Sequence, residues 1–259
     1  MTFFEAVILG LLQGLTEFLP VSSSGHLEIG KALFGINPES SFYFTVAVHG
    51  ATVLSTIVVF RKDIMNLISG LLKFEMNNET HYVLKLLLSM IPVGFVGLLL
   101  KGPVERMFNG NLVFVGFMLL LTALILAAAH YMKKGERSIG YKDALIIGFA
   151  QAIAVIPGIS RSGSTIATGL LIGIKKDEVA RFSFLMVLIP VLGANLLEIL
   201  TGDAGTTSVG LGPVLAGFIT AFIAGYAACR WMITLVRKSK LIWFSVYCVI
   251  VGLIAVFLG

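Results

Sequence analysis

The chain has 259 residues, 57% of them apolar and only 13% charged, with a mean hydropathy of +0.97 and a net charge of +5. A soluble domain carries roughly 25% charge, so an ordinary water-soluble enzyme is excluded and an all-α integral membrane protein is expected. Two isolated cysteines, Cys229 and Cys248, sit inside apolar runs and offer no disulfide or metal pattern. The opening "MTFFEAVILG" has no basic n-region or cleavage site, so no removable signal peptide is expected.

In chain order, an apolar piece at 3–19 meets the polar turn "PVSSSGH" at 20–26, and a second short piece follows at 25–36. Three runs near the ~20 residues that cross a hydrocarbon core come next, at 42–60, 82–100 and 112–132. The pattern then starts again. Pieces at 144–156 and 164–174 flank the turn "PGISRSGST" at 157–165, and runs at 182–200, 211–229 and 241–258 complete the chain. Pro20 and Gly25 interrupt the first pair, and Pro157, Gly158 and Gly163 the second. Most of these pieces are too short to span, so both pairs read as re-entrant helical hairpins with unwound tips at membrane depth. His49, inside an apolar run, reads as a packed core histidine. Lys85 and Glu198, near membrane ends, read as snorkelling residues.

The restart is a duplication. At an offset of 138, Ala6, Ile8, Gly10, Gln13, Ser22, Ser24, Gly25, Leu33, Gly35, Ile36, Phe44, Val53 and Leu54 each meet an identical residue, and Glu5 and Glu39 meet Asp143 and Asp177. The expected organisation is a single membrane domain, 1–259, built of repeats 1–138 and 139–259. A hairpin returns to its own side and three spans change sides, so the second repeat enters from the opposite face: an inverted-topology repeat, each half a hairpin plus three transmembrane helices. Under this arrangement fourteen Lys and Arg fall on one side and three on the other. The basic side is then cytoplasmic, and both termini and the first hairpin open extracytoplasmically.

Inverted halves with broken helices bring their polar tips together near the midplane. The first tip offers Glu17, Ser22, Ser23, Ser24, Gly25 and His26, with Gln13 one turn before Glu17 on the same face. The second offers Ser160, Arg161, Ser162, Gly163, Ser164 and Thr165, with Gln151 upstream. Arg161 at a helix start, among hydroxyls and glycines, suits an oxyanion: a guanidinium matches phosphate oxygens bidentately, and the free N–H groups add the positive dipole end. Gly163 permits close backbone approach. His26, among serines and in reach of a carboxylate, could activate a hydroxyl. The bland alternative is that Glu17 and Arg161 form a buried pair that only locks the halves together.

"LQGLTEFLPVSSSGH" and "PGISRSGST" together resemble the undecaprenyl-diphosphate phosphatase, or bacitracin-resistance, family over the whole chain. The residues carrying the likeness are Gln13, Glu17, Pro20, Ser22, Ser23, Gly25 and His26, then Pro157, Gly158, Ser160, Arg161, Ser162 and Thr165. The resemblance implies a hydrolase of the bacterial cell membrane that removes the terminal phosphate of a C55 isoprenyl diphosphate. The product is the monophosphate carrier used in peptidoglycan synthesis, which links the activity to bacitracin resistance. It implies Ser23 as nucleophile, and Glu17 and His26 in proton transfer and orientation. Arg161 would grip the diphosphate as a catalytic group, with Gln13, Ser22, Ser24, Gly25, Ser160, Ser162, Gly163 and Thr165 around the substrate. Direct attack by water stays open, as does a divalent cation, Mg²⁺ or Ca²⁺, on Glu17; no other cofactor is expected. The expected partners are the lipid diphosphate and the bilayer, with a homodimer open and no nucleic acid. The rival function is a lipid-carrier flippase or secondary transporter on the same scaffold.

Overall fold

The structure is a computed structural model that describes residues 1–36, 41–108, 110–132, 135–193, 209–237 and 240–259. Glu39 and Glu198, named above, lie outside the described residues, as do Lys133, Lys134 and Lys238, three of the fourteen basic residues on the cytoplasmic side of the expected topology. Helices account for most of the described chain: α1 (Phe3–Phe18), α2 (Ser23–Leu33), α3 (Phe42–Val59), α4 (Arg61–Leu71), α5 (Asn78–Leu99), α6 (Lys101–Glu105), α7 (Leu112–Tyr131), α8 (Tyr141–Ile153), α9 (Arg161–Leu171), α10 (Lys176–Met186), α11 (Leu211–Arg237) and α12 (Leu241–Leu258). Among the described residues, five helices are long and apolar enough to cross a membrane: α3, α5, α7, α11 and α12. The chain is a multi-pass membrane protein.

The expected continuous span at 182–200 takes a different form in its described part. Helix α10 ends at Met186, Val187 forms a turn, and residues 188–193 are helical again. Pro190 supplies the reason: it has no N–H, and its ring collides with the carbonyl four residues back, which belongs to Met186. In the first turn of the new segment the missing N–H costs nothing.

The two short helix pairs, α1–α2 and α8–α9, are built with the same stops. A serine caps each second helix: Ser22 Oγ accepts from Gly25 N, and Ser160 Oγ from Gly163 N. Each second helix ends on a left-handed glycine, Gly35 at φ +64° and Gly173 at φ +84°. There the N–H of Ile36 returns to Lys31 O and that of Ile174 to Gly169 O, the six-to-one bond of a Schellman stop. Thus the repeat identities at Leu33, Gly35 and Ile36 are terminator residues. At 16 residues or fewer, α1, α2, α8 and α9 reach at most about 24 Å, short of the hydrocarbon thickness.

The first helix of each pair lies against a long helix of the other half, α1 on α11 and α8 on α5, while α7 packs against α12. Small residues set these distances. A Cβ on Gly10 would lie 2.4 Å from Gly217 O, one on Gly148 2.3 Å from Ser89 O, and one on Gly116 2.6 Å from Gly252 O. Lipid tails supply no hydrophobic drive between helices, so close backbone approach of this kind is what holds membrane helices together. The principal apolar cluster runs through Phe182, Ile147, Ile166 and Met232, and a second gathers Leu9, Leu27 and Phe44.

Candidate active site

Between these pairs the two polar turns meet. Ser162 Oγ, on the second turn, donates to the carbonyl of Leu19 on the first at 3.1 Å. Glycines make the approach possible: a Cβ on Gly25 would stand 3.2 Å from Gly158 Cα, and one on Gly163 3.2 Å from Pro20 Cβ. Thr122 of α7 pins the second turn from behind, donating to Gly158 O at 3.1 Å and accepting from Ser160 N at 3.0 Å. Gly158 itself sits at φ +93°, where an added Cβ would also lie 2.6 Å from Val115 O.

Glu17, in the last turn of α1, is the hub. Its Oε1 accepts from the guanidinium Nη2 of Arg161, forming an ion pair across the two turns. Its Oε2 accepts from Ser23 Oγ at 2.6 Å and from Gln13 Nε2 at 2.8 Å. Ser23 and Arg161 are the first residues of α2 and α9, so the positive ends of both helices converge on the same place. Arg161 Nη1 is buried without a hydrogen-bond partner. A bare donor on a cationic fork, beside two helix amino ends, is a demand for an anion.

These groups open onto a cavity of about 420 Å³. Of the tip residues singled out from sequence, Glu17, Ser22, Ser23, Ser24, Ser160, Arg161 and Ser162 line it, as does the upstream Gln151; His49, read from sequence as a core residue, lines it too. Gln13 stands behind Glu17, fully buried, and Gly25 and Gly163 form the contact between turns. Thr165 faces away, within 2.6 Å of Ser183 Oγ and 2.9 Å of Arg161 O. His26 is also outside the cavity and bonded at both nitrogens: Nδ1 to Ser22 O and Nε2 to Tyr247 OH, each at 2.8 Å. It makes no hydrogen bond to Glu17 or Ser23, and its Nδ1 bond holds the left-handed Ser22, φ +68°, in place.

Thr16 and Thr45 also line the cavity, and so do two polar residues with chemistry of their own. His49 of α3 is one, lining the same cavity as Glu17. A polar stripe at Thr45, His49, Thr52 and Thr56, one helical face of an otherwise apolar run, was the sequence signal for it. Gln151 of α8 is the other: 2% exposed, with neither amide atom hydrogen-bonded. The remaining wall is apolar, from Phe42, Val46, Val93, Phe108, Val187 and Pro190, a surface suited to an acyl or prenyl chain.

A divalent cation fits this arrangement poorly. Both oxygens of Glu17 are already engaged, one by a cation, and among the described residues no group of three His, Cys, Asp or Glu could hold a metal. No step below runs through one.

A helical membrane protein with a carboxylate, a serine and a guanidinium joined at one partly apolar cavity is the class that fold and site define. The chain matches the family model "Bacitracin resistance protein BacA" over residues 6–254 and belongs to that family. It is 54% identical over 260 residues to the undecaprenyl-diphosphatase of Bacteroides fragilis (99% of this chain, 98% of that protein). It is 53% identical over 258 residues to that of Christiangramia forsetii, again across 99% and 98% of the two chains. The similarity reaches Methanobrevibacter smithii, whose undecaprenyl-diphosphatase is 38% identical over 276 residues, 100% of this chain and 98% of the other.

Proposed function

We propose that this protein is an undecaprenyl-diphosphate phosphatase of the cell membrane, hydrolysing the terminal phosphate of a C55 isoprenyl diphosphate to give the monophosphate lipid and inorganic phosphate. The observation that carries the reading is the chain Ser23–Glu17–Arg161 at the mouth of a half-apolar cavity. Arg161, with Nη1 uncommitted, grips the diphosphate and stabilises charge developing on phosphorus. Ser23 Oγ attacks the terminal phosphorus and passes its proton to Glu17 Oε2, which already receives it in a hydrogen bond. The bond to the bridging oxygen breaks, and the lipid monophosphate departs with the electron pair. Ser22, Ser24, Ser160 and Ser162 hold the headgroup from the two turns. Gln13 orients Glu17, and His26 acts as a positioning residue through Ser22.

The scaffold is an inverted repeat of 1–138 and 139–259 within one membrane domain. The reciprocal packing of α1 on α11 and α8 on α5 supports this, as do the matched helix stops. The fourteen-to-three bias of basic residues supports extracytoplasmic termini and a site opening to that face. A second copy of the chain is a compatible partner. A flippase on the same scaffold would have no use for a hydroxyl already bonded to its base.

The test is phosphate release from purified protein given a prenyl diphosphate. Ser23→Ala loses turnover while melting in detergent as the parent does. Retention of turnover by that variant would overturn the nucleophile, and absence of phosphate release from the parent would overturn the function.

A further inference from the structure

The second half of the reaction needs a water molecule, and the groups described so far leave it without a base. Glu17 holds the proton taken from Ser23, and the lone pair of His26 Nε2 is occupied by Tyr247 OH. His49 is placed differently. Its Nδ1 stands 2.8 Å from the carbonyl of Thr45, which can only accept, so Nδ1 carries the proton. Nε2 of the neutral ring is then a bare lone pair, turned away from its own helix in a residue that lines the cavity. Opposite in chemistry is Gln151, from the other half, with a donor and an acceptor both buried and both unpaired. An amide with both ends free is satisfied by a ligand that both accepts and donates. A water beside a phosphoryl oxygen meets both needs.

We propose that His49 and Gln151 form the water-handling side of the site, Gln151 fixing the hydrolytic water and His49 taking its proton; this rests on the serine reading above. Gln151 Oε1 accepts from the water while Nε2 donates to a phosphoryl oxygen. The water oxygen attacks the phosphorus of phosphorylated Ser23, and its proton passes to His49 Nε2. The P–Oγ bond breaks, Ser23 Oγ recovers the proton from Glu17, and inorganic phosphate leaves. His49 then loses its proton to solvent, which returns both groups to their starting states.

The experiment follows both products from a prenyl diphosphate labelled on the terminal phosphate. His49→Asn keeps a donor for Thr45 O but has no base. It gives a burst of one equivalent of lipid monophosphate, label accumulating on Ser23, and phosphate release slowed about 10²- to 10⁴-fold. His49→Gln, a second variant against misfolding, behaves the same way. Gln151→Leu removes two unpaired polar atoms, so it melts no lower than the parent, yet it also keeps the burst and slows release. Release at the parental rate in these variants overturns the proposal and leaves the serine reading standing. So does a burst slowed as much as release. Turnover by Ser23→Ala brings down both.

Discussion

At the first turn Ser22 caps its helix from a left-handed backbone, φ +68°, whereas at the second Ser160 makes the same cap from an ordinary extended one, φ −76°. The residues that follow each cap are related by the 138-residue offset, yet one is Ser23 and the other Arg161. Likewise Glu17 corresponds to Val155, and Gln13, bonded to Glu17, corresponds to the unbonded Gln151. The helix stops and the glycine pairs Gly10/Gly148, Gly25/Gly163 and Gly35/Gly173 are common to the two stretches, while the side chains facing the cavity differ and are complementary. Two equal turns would confront like with like; these two join a carboxylate to a guanidinium.

The largest expected effect comes from breaking that complementarity. Arg161→Ala leaves the Glu17 carboxylate buried without its cation and costs about 3–5 kcal/mol, with turnover lowered at least 10²-fold, on the order of one lost charge-stabilising donor. Adding Glu17→Gln restores most of the stability and none of the turnover, as melting and phosphate release in a double-mutant cycle will report. If Glu17→Gln changes stability by the same amount with and without Arg161, the pair is not coupled.

The backbone contrast is tested next. Gly158→Ala forces a side chain into φ +93° and against Val115 O, and is expected to cost at least about 1–3 kcal/mol. Ser22→Gly at the first turn loses a cap but relieves a positive φ, so its stability stays within about 0.5 kcal/mol of the parent. Thermal melting of the two variants side by side decides whether the turns differ in strain as described.

The smallest effect concerns His26. Tyr247→Phe removes one hydrogen bond, costs about 0.5–1.5 kcal/mol, and leaves turnover intact because the imidazole lies outside the cavity. A collapse of turnover in this variant would return His26 to the proton-transfer path.

Much of this was legible in the linear chain because it is written in local signals. Proline and glycine marked both turns, long apolar runs marked α3, α5, α7, α11 and α12, and the repeat offset paired the tips that carry Glu17 and Arg161. What escaped depended on contacts between distant segments. Tyr247 lies 221 residues from the histidine it engages, and no local pattern announces that. His49 was hidden by its surroundings: a lone imidazole among Val, Ala and Leu reads as core until the threonines on its face are counted as a stripe. The break at Val187 was masked by continuous hydropathy, which measures transfer to lipid and is blind to the missing N–H of Pro190.

The reciprocal docking of α1 on α11 and α8 on α5 has a consequence for how such a protein can be built. Neither stretch, 1–138 or 139–259, carries its own buttress, so a severed chain should be inert as fragments and regain activity only when both are made together in one membrane. Loss of either stretch would deprive the other of the helix it leans on.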